Sequence, residues 1–229
     1  MRTKLLLCAL IACALVGTVG ASASGGANPG RFSTRIDNPW FPLAPGTVYV
    51  YTGSEGGKRT RDVVTVTNRT ITIEGVRCRV VRDLVYTNGR LTEPTSDYYA
   101  QDRAGNVWYF GEDTAELDQN GHVKTREGTW RAGVNGARGG ILMPGHPVLG
   151  RAYRQEFLKG HAEDFARAIA VFRTVTGPRG QNALLTEEWS PLEPGVLDHK
   201  MYVRGVGDVL ERTVKGGDEQ LELRSVQSG

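Results

Sequence analysis

Residues Asp97–Asp113, DYYAQDRAGNVWYFGED, gather four carboxylates and five aromatic rings in one short segment. Carboxylates offer hard oxygen ligands to calcium, and rings offer a stacking wall to an apolar molecule. Asp102–Asn106 reads as a hairpin loop, with Gly105 in the left-handed position that a three-residue loop and its bulge require. That loop sets Gln101 opposite Val107, Ala100 opposite Trp108, Tyr99 opposite Tyr109 and Tyr98 opposite Phe110. One face then carries Tyr98, Ala100, Trp108 and Phe110, a core face. The other carries Tyr99, Gln101, Val107 and Tyr109, too apolar for open water. Either a second layer covers it or it lines a groove, which makes Tyr99, Tyr109, Gln101 and, further along, Trp130 the ligand-binding candidates. Asp102 is expected to cap its own turn. No calcium-loop pattern is present, so a calcium site would draw on dispersed acids, with Asp97, Asp102 and Glu112 the candidates.

A second polar cluster runs from Gln155-Glu156-Phe157 to Gly160-His161-Ala162-Glu163-Asp164. His161-x-Glu163 is half of a zinc-deaminase pattern, but the companion cysteine pair is absent. Neither H-E-x-x-H nor G-x-S-x-G occurs, which removes the common zinc and serine hydrolase signatures. Paired-carboxylate hydrolysis would fall to Glu156 with Glu163 or Asp164, since it needs two acids in different environments. Charges solvated around a turn are the simpler reading. His122, His146 and His199 have no ligand spacing. Gly133–Gly140 lacks the Lys-Ser/Thr ending of a phosphate loop and reads as a flexible crossing loop.

The elements that must hold these residues are strands. Val48–Tyr51, Val63–Thr67, Thr70–Ile73, Val76–Tyr86 and Arg90–Gln101 alternate branched or aromatic residues, punctuated by Glu74-Gly75 and Asn88-Gly89. Such runs with turn signals predict consecutive antiparallel hairpins. Tyr153–Leu158, Ala183–Glu188, Lys200–Val203 and Val206–Val214 repeat the style. Gly160–Thr174 fits a short helix or a strand. The prolines of Ile36–Pro42 make an extended edge anchored by Trp40 and Phe41. The fold class is mainly β, a curved antiparallel sheet or half-barrel with at most one or two short helices.

Arg2 and Lys4, the apolar run Leu5–Val19 and Ala21-Ser22-Ala23 form a secretory signal over residues 1–23. The run falls short of the about 20 residues of a membrane span. No other run of that length follows, so the mature chain has no transmembrane segment. Leu10-Ile11-Ala12-Cys13 raises lipoprotein anchoring as a rival, but that cut would leave an apolar stub where a polar tether belongs. Residues 24–35 read as a disordered leader and 36–227 as one β-rich domain. Only Cys78 survives signal removal, on the apolar side of a strand, so no internal disulfide forms. The formal charge of +3 falls to +1 without Arg2 and Lys4, and no basic cluster points to nucleic acid.

Ile36-Asp37-Asn38-Pro39, Phe41-Pro42-Leu43, Asp97–Glu112, Gln155-Glu156, Pro191–Gly195 and Tyr202 with Gly205-Val206-Gly207 resemble a group of uncharacterised exported bacterial β-proteins. The closing Tyr-x-x-Gly-Val-Gly element is similar to that of TapB-like exported proteins, which implies a curved antiparallel half-barrel. Here Met201 and Val203-Arg204 replace the usual aromatic and Ala-Pro companions. The resemblance implies a fold and an extracytoplasmic compartment, and no established activity or catalytic residues; no cofactor is expected, with calcium the alternative. Function is expected to be the non-enzymatic binding of a small apolar or amphipathic ligand, or of an envelope component, by a secreted or envelope protein. The alternatives are a paired-carboxylate hydrolase and a calcium-stabilised structural domain.

Overall fold

Asn88 and Gly89 both take positive φ, 51° and 84°, and join strands whose last pair is Thr87 with Arg90. This is the two-residue turn whose twist matches that of its flanking strands. Glu74-Gly75 and Gly56-Gly57 make comparable turns. In the computed structural model, which describes residues 29–173 and 182–229, these hairpins run on into a single large antiparallel sheet. The expected signal, residues 1–23, lies outside the described residues.

The strands are β1 (Phe32–Ser33), β2 (Val48–Glu55), β3 (Lys58–Ile73), β4 (Val76–Thr87), β5 (Arg90–Asp102), β6 (Val107–Thr114), β7 (Glu116–Leu117), β8 (Val123–Thr125) and β9 (Trp130–Arg131). There follow β10 (Arg138–Met143), β11 (Ala152–Arg154), β12 (Glu156–Phe157), β13 (Phe165–Arg173), β14 (Asn182–Trp189), β15 (Leu197–Val203), β16 (Gly207–Lys215) and β17 (Gln220–Gln227). The only helix among the described residues is the 3-10 turn Pro29–Arg31. Gly160–Thr174, open between helix and strand from sequence, resolves as strand over Phe165–Arg173. Chain pairing begins at Phe32, inside the expected leader, where β1 pairs with the end of β5.

Strand order is β11-β13-β14-β15-β16-β17-β2-β3-β4-β5-β6-β10-β12. Its two ends, β11 and β12, are neighbours in the chain, so the short run Ala152–Phe157 bridges both margins and the sheet curls into a nearly closed barrel. Closing a sheet this way removes its exposed edges. The approach is close: a side chain on Gly140 would place Cβ 2.4 Å from the Gln155 carbonyl oxygen. The glycine run expected to be a flexible loop therefore ends in β10, where Gly139 and Gly140 are paired.

One end of the barrel is filled by the segment Ile36–Ala44. Asn38 organises it from a buried position, donating from Nδ2 to the carbonyls of Gly105 and Pro144 and accepting at Oδ1 from the amides of Trp40 and Phe41. Phe41 then lies edge-on to Tyr99 and Tyr202, at 5.7 and 6.4 Å between ring centres. On the outer side of the β5–β6 hairpin, Phe32 packs edge-on against Trp108 and Phe110. Both faces of that hairpin are thus covered.

Candidate functional site

Alternation along the barrel strands carries acids inward among the valines. Asp62 and Val64 of β3, Val81 and Asp83 of β4, and Asp97 and Tyr99 of β5 share an inward parity and border one cavity of about 160 Å³. Phe41, Tyr49, Tyr51 and Asp208 complete its wall. A second cavity, of about 280 Å³, adjoins it through Asp62, Lys200, Glu211 and Leu221. Its rim carries the half-buried Glu55, Glu93, Glu193 and Glu219. Together the two linings hold 13 of the chain's 25 acids, and among the described residues Lys200 is their only lysine or arginine. Among the described residues, acids are thus concentrated along this inner wall.

Lys200 sits between Glu188 and Glu211, its ammonium 3.5 and 3.4 Å from their oxygens. Burial pulls its pKa down, but these carboxylates outweigh burial and raise it well above the ordinary lysine value. Several acids also accept from hydroxyls. Asp97 accepts from Tyr109 at 2.6 Å, Asp198 from Thr213 at 2.6 Å, and Glu188 from Thr186 and Tyr202 at 3.0 and 3.2 Å. Such donors solvate a carboxylate without cancelling its charge. Burial raises the pKa of Glu188 against the pull of Lys200, and raises that of Asp208 well above the carboxylate range. Asp62, 8% exposed, is pushed up to about 6 by burial, partly opposed by its hydrogen bond with Asp83. Its Oδ1 has no hydrogen-bond partner among the described residues.

The expected aromatic face forms but is mostly enclosed. Tyr99 and Tyr109 face each other as predicted and stack at 4.9 Å. Gln101–Val107 and Ala100–Trp108 also pair as predicted. The next step does not, because a bulge at the positive-φ Gly111 shifts the register and sets Asp97 against Glu112. Tyr109 is buried beneath Trp130, whose indole Nε1 donates to Glu156 Oε2 at 2.8 Å. Tyr99 borders the inner cavity. Gln101 is committed elsewhere: Oε1 accepts from the amides of Asp37 and Asn38 and Nε2 donates to Asp37, pinning the end plug.

The three acids proposed for hydrolysis do not share a role. Glu156 is buried against Trp130, Glu163 accepts from the Gly160 amide and pairs with Arg154, and Asp164 lines the larger cavity. Of the calcium candidates, Asp97 and Glu112 are cross-strand partners, whereas Asp102 takes the amides of Ala104 and Asn106 and the Trp108 indole within its own hairpin. Among the described residues no group of three or more His, Cys, Asp or Glu is placed to hold a metal ion. Cys78 is fully buried and its thiol is pushed up to about 12 by burial, as suits a small core residue.

Sequence reasoning missed Asp62, Asp83, Glu188, Lys200, Asp208 and Glu211. The signal was parity: each acid of Asp62-x-Val64-x-Val66 and Val81-x-Asp83-x-Val85 falls on the branched, inward positions of its strand.

No family model matches the chain, and no curated protein matches it. Among solved structures, a chain from Parabacteroides distasonis described as "a putative lipoprotein" aligns over 82% of this chain and 98% of its own, with TM-score 0.42 and 10% identity. That likeness is too slight to carry either fold or function. Among the described residues, no helix is long and apolar enough to cross a membrane.

Proposed function

We propose that this is a non-enzymatic extracytoplasmic protein whose binding site is the interior of its barrel, taking up a small amphipathic ligand. The charged start, the short apolar run and Ala21-Ser22-Ala23 support export. The observation that carries the reading is a continuous polar-and-aromatic lumen, plugged at one end by Ile36–Ala44, inside a barrel whose strands would pack better around apolar side chains. Concave sites with aromatic walls and a few convergent polar groups are where small ligands bind. Of the tyrosine face, expected either under a second layer or along a groove, Tyr99 contributes at the inner cavity.

Native mass spectrometry of the protein recovered from its own host tests this. A co-purifying small molecule, lost from a Leu221→Trp variant that fills the junction between the cavities, is the expected result. A bare polypeptide mass, with lumen-strand amides whose hydrogen exchange no small amphiphile alters, would sink it.

A further inference from the structure

Beyond the lumen, and independent of it, we infer a second binding site: a groove beside the barrel seam that takes a small organic anion, a carboxylate carried on an apolar body. The groove, of about 360 Å³, lies where β10 meets the bridging run Ala152–Phe157 and is bordered by Trp108, Ile141, Arg138, Arg154 and Phe157. It shares no lining residue with either lumen cavity, and among the described residues no Asp or Glu lines it. Trp108 and Ile141 are cross-strand partners and, with Phe157, supply an apolar wall. The charge comes from the two arginines.

Two observations point to an anion. The first is how the guanidinium groups are held: the Phe157 ring centre lies 5.7 Å from Arg138 Cζ and 4.7 Å from Arg154 Cζ, and the Phe165 ring lies 4.2 Å from Arg154 Cζ. Rings attract the flat face of a guanidinium, whereas its N–H groups point outward in its plane. Stacking thus fixes both groups and spends none of their donors. The second is that those donors are not spent elsewhere, since neither guanidinium makes a hydrogen bond among the described residues. Arg138 has no ion pair there either. Arg154 has one, to Glu163, but the 3.8 Å from Nη1 is too long for a hydrogen bond, and Glu163 accepts instead from the Gly160 amide. Arg154 Nη1 is buried with no acceptor, although the side chain as a whole stays 37% exposed. A buried unsatisfied donor asks for an acceptor. Two planar forks beside an apolar wall suit a carboxylate, which takes paired N–H bonds from an arginine. An ammonium ion would meet two cations and no acid in the lining.

Isothermal titration of the protein at pH 7.5 with phenylacetate, against benzyl alcohol, benzylammonium and phenyl phosphate, decides the matter. Phenylacetate should bind at least about 10-fold more tightly than benzyl alcohol or benzylammonium, and should weaken as salt rises. Arg138→Gln and Arg154→Lys, each first checked for a cooperative melt, should each cost phenylacetate about 10-fold and leave benzyl alcohol unchanged, the second because lysine keeps the charge and loses the fork. If Arg154→Lys does not fold, the exposed Arg138 decides alone. In amide NMR spectra phenylacetate should shift Gly139, Gly140 and Ile141 and leave Asp62 and Lys200 in place. Benzyl alcohol or benzylammonium binding as well as phenylacetate would overturn the inference. Tighter binding of phenyl phosphate would overturn it in favour of a phosphate site. Silence from every probe, or phenylacetate binding indifferent to the variants, would refute it, and shifts at Asp62 and Lys200 would do so by placing the anion in the lumen. The first four of these failures leave the lumen reading untouched.

Discussion

Replacing Asp62 with asparagine should stabilise the protein at neutral pH, which is unusual for a buried polar side chain. Asp62 titrates at about 6 in the folded chain because burial disfavours its charge, against a reference value of 3.8. Between those values the folded chain holds a proton that the unfolded chain has lost. Stability from this group is therefore full below about 3.8 and is lost as pH rises through about 6. At 1.36 kcal/mol for each pH unit of that interval, the cost of carrying Asp62 at pH 7.5 is about 3 kcal/mol. Asparagine keeps the shape, removes the charge, and its amide can still donate to Asp83. Urea unfolding followed by tryptophan fluorescence, repeated from pH 3.5 to 8, provides the readout. Asp62→Asn should match the wild type near pH 3.5 and exceed it by up to about 3 kcal/mol at pH 7.5, on the order of 6 to 12 °C in Tm for a domain of this size. Glu188 and Asp208 tilt both curves, so the difference between the proteins reports Asp62 together with the acids it repels. Parallel curves, or a variant less stable at pH 7.5, would refute the reasoning.

Lys200→Ala should have the opposite sign. It leaves Glu188 and Glu211 without their cation, a loss of about 3 kcal/mol, and millimolar ethylammonium should restore part of the lost melting temperature; failure of rescue would mean that the lumen does not accept an outside ammonium. Gln101→Ala removes three hydrogen bonds to Asp37 and Asn38, so amides of residues 36–44 should exchange faster by at least about 10-fold, with global stability reduced by about 2 kcal/mol. Cys78 should resist iodoacetamide at pH 8 in the folded protein and react at once in 6 M guanidinium, because a fully buried thiol held up to about 12 has almost no thiolate to offer.

Local rules carried the strands well. Asn88-Gly89 and Glu74-Gly75 fixed their turns, and the β5–β6 register was readable as far as Tyr99 opposite Tyr109, because a two-fold alternation and a loop glycine determine it. Beyond that pair the reading failed at Gly111, where a bulge inserts a residue that no hydrophobic pattern announces. Closure was not legible either: Ala152–Phe157 touches both margins through contacts distant in sequence, and Gly139-Gly140, paired in the sheet, reads in the sequence as part of a loop. The site was hidden for a related reason. Formal charge is a sum over the chain, and a value near zero says nothing of whether acids and bases are mixed or sorted by face. Asp62, Asp83 and Asp97 each looked like one tolerable acid in a strand. Only the curl of the sheet turns separate inward positions into one wall.

That wall bears on purpose as well as place. A barrel interior of this size is cheaply filled with branched and aromatic side chains, as the plugged end shows with Phe41, Tyr99 and Tyr202. At the other end the same strands carry Glu188, Asp198, Lys200 and Glu211, and burial of such groups is neutral at best against an apolar filling of equal volume. Folding alone therefore does not account for them. Positions where every local preference but one agrees with the fold are the positions at which function is to be sought. Here most of the disagreement is carboxylate, gathered around Lys200 along one connected space. A stability defect of random origin would scatter. Acids gathered along one wall mark where variants test the proposed binding role most directly.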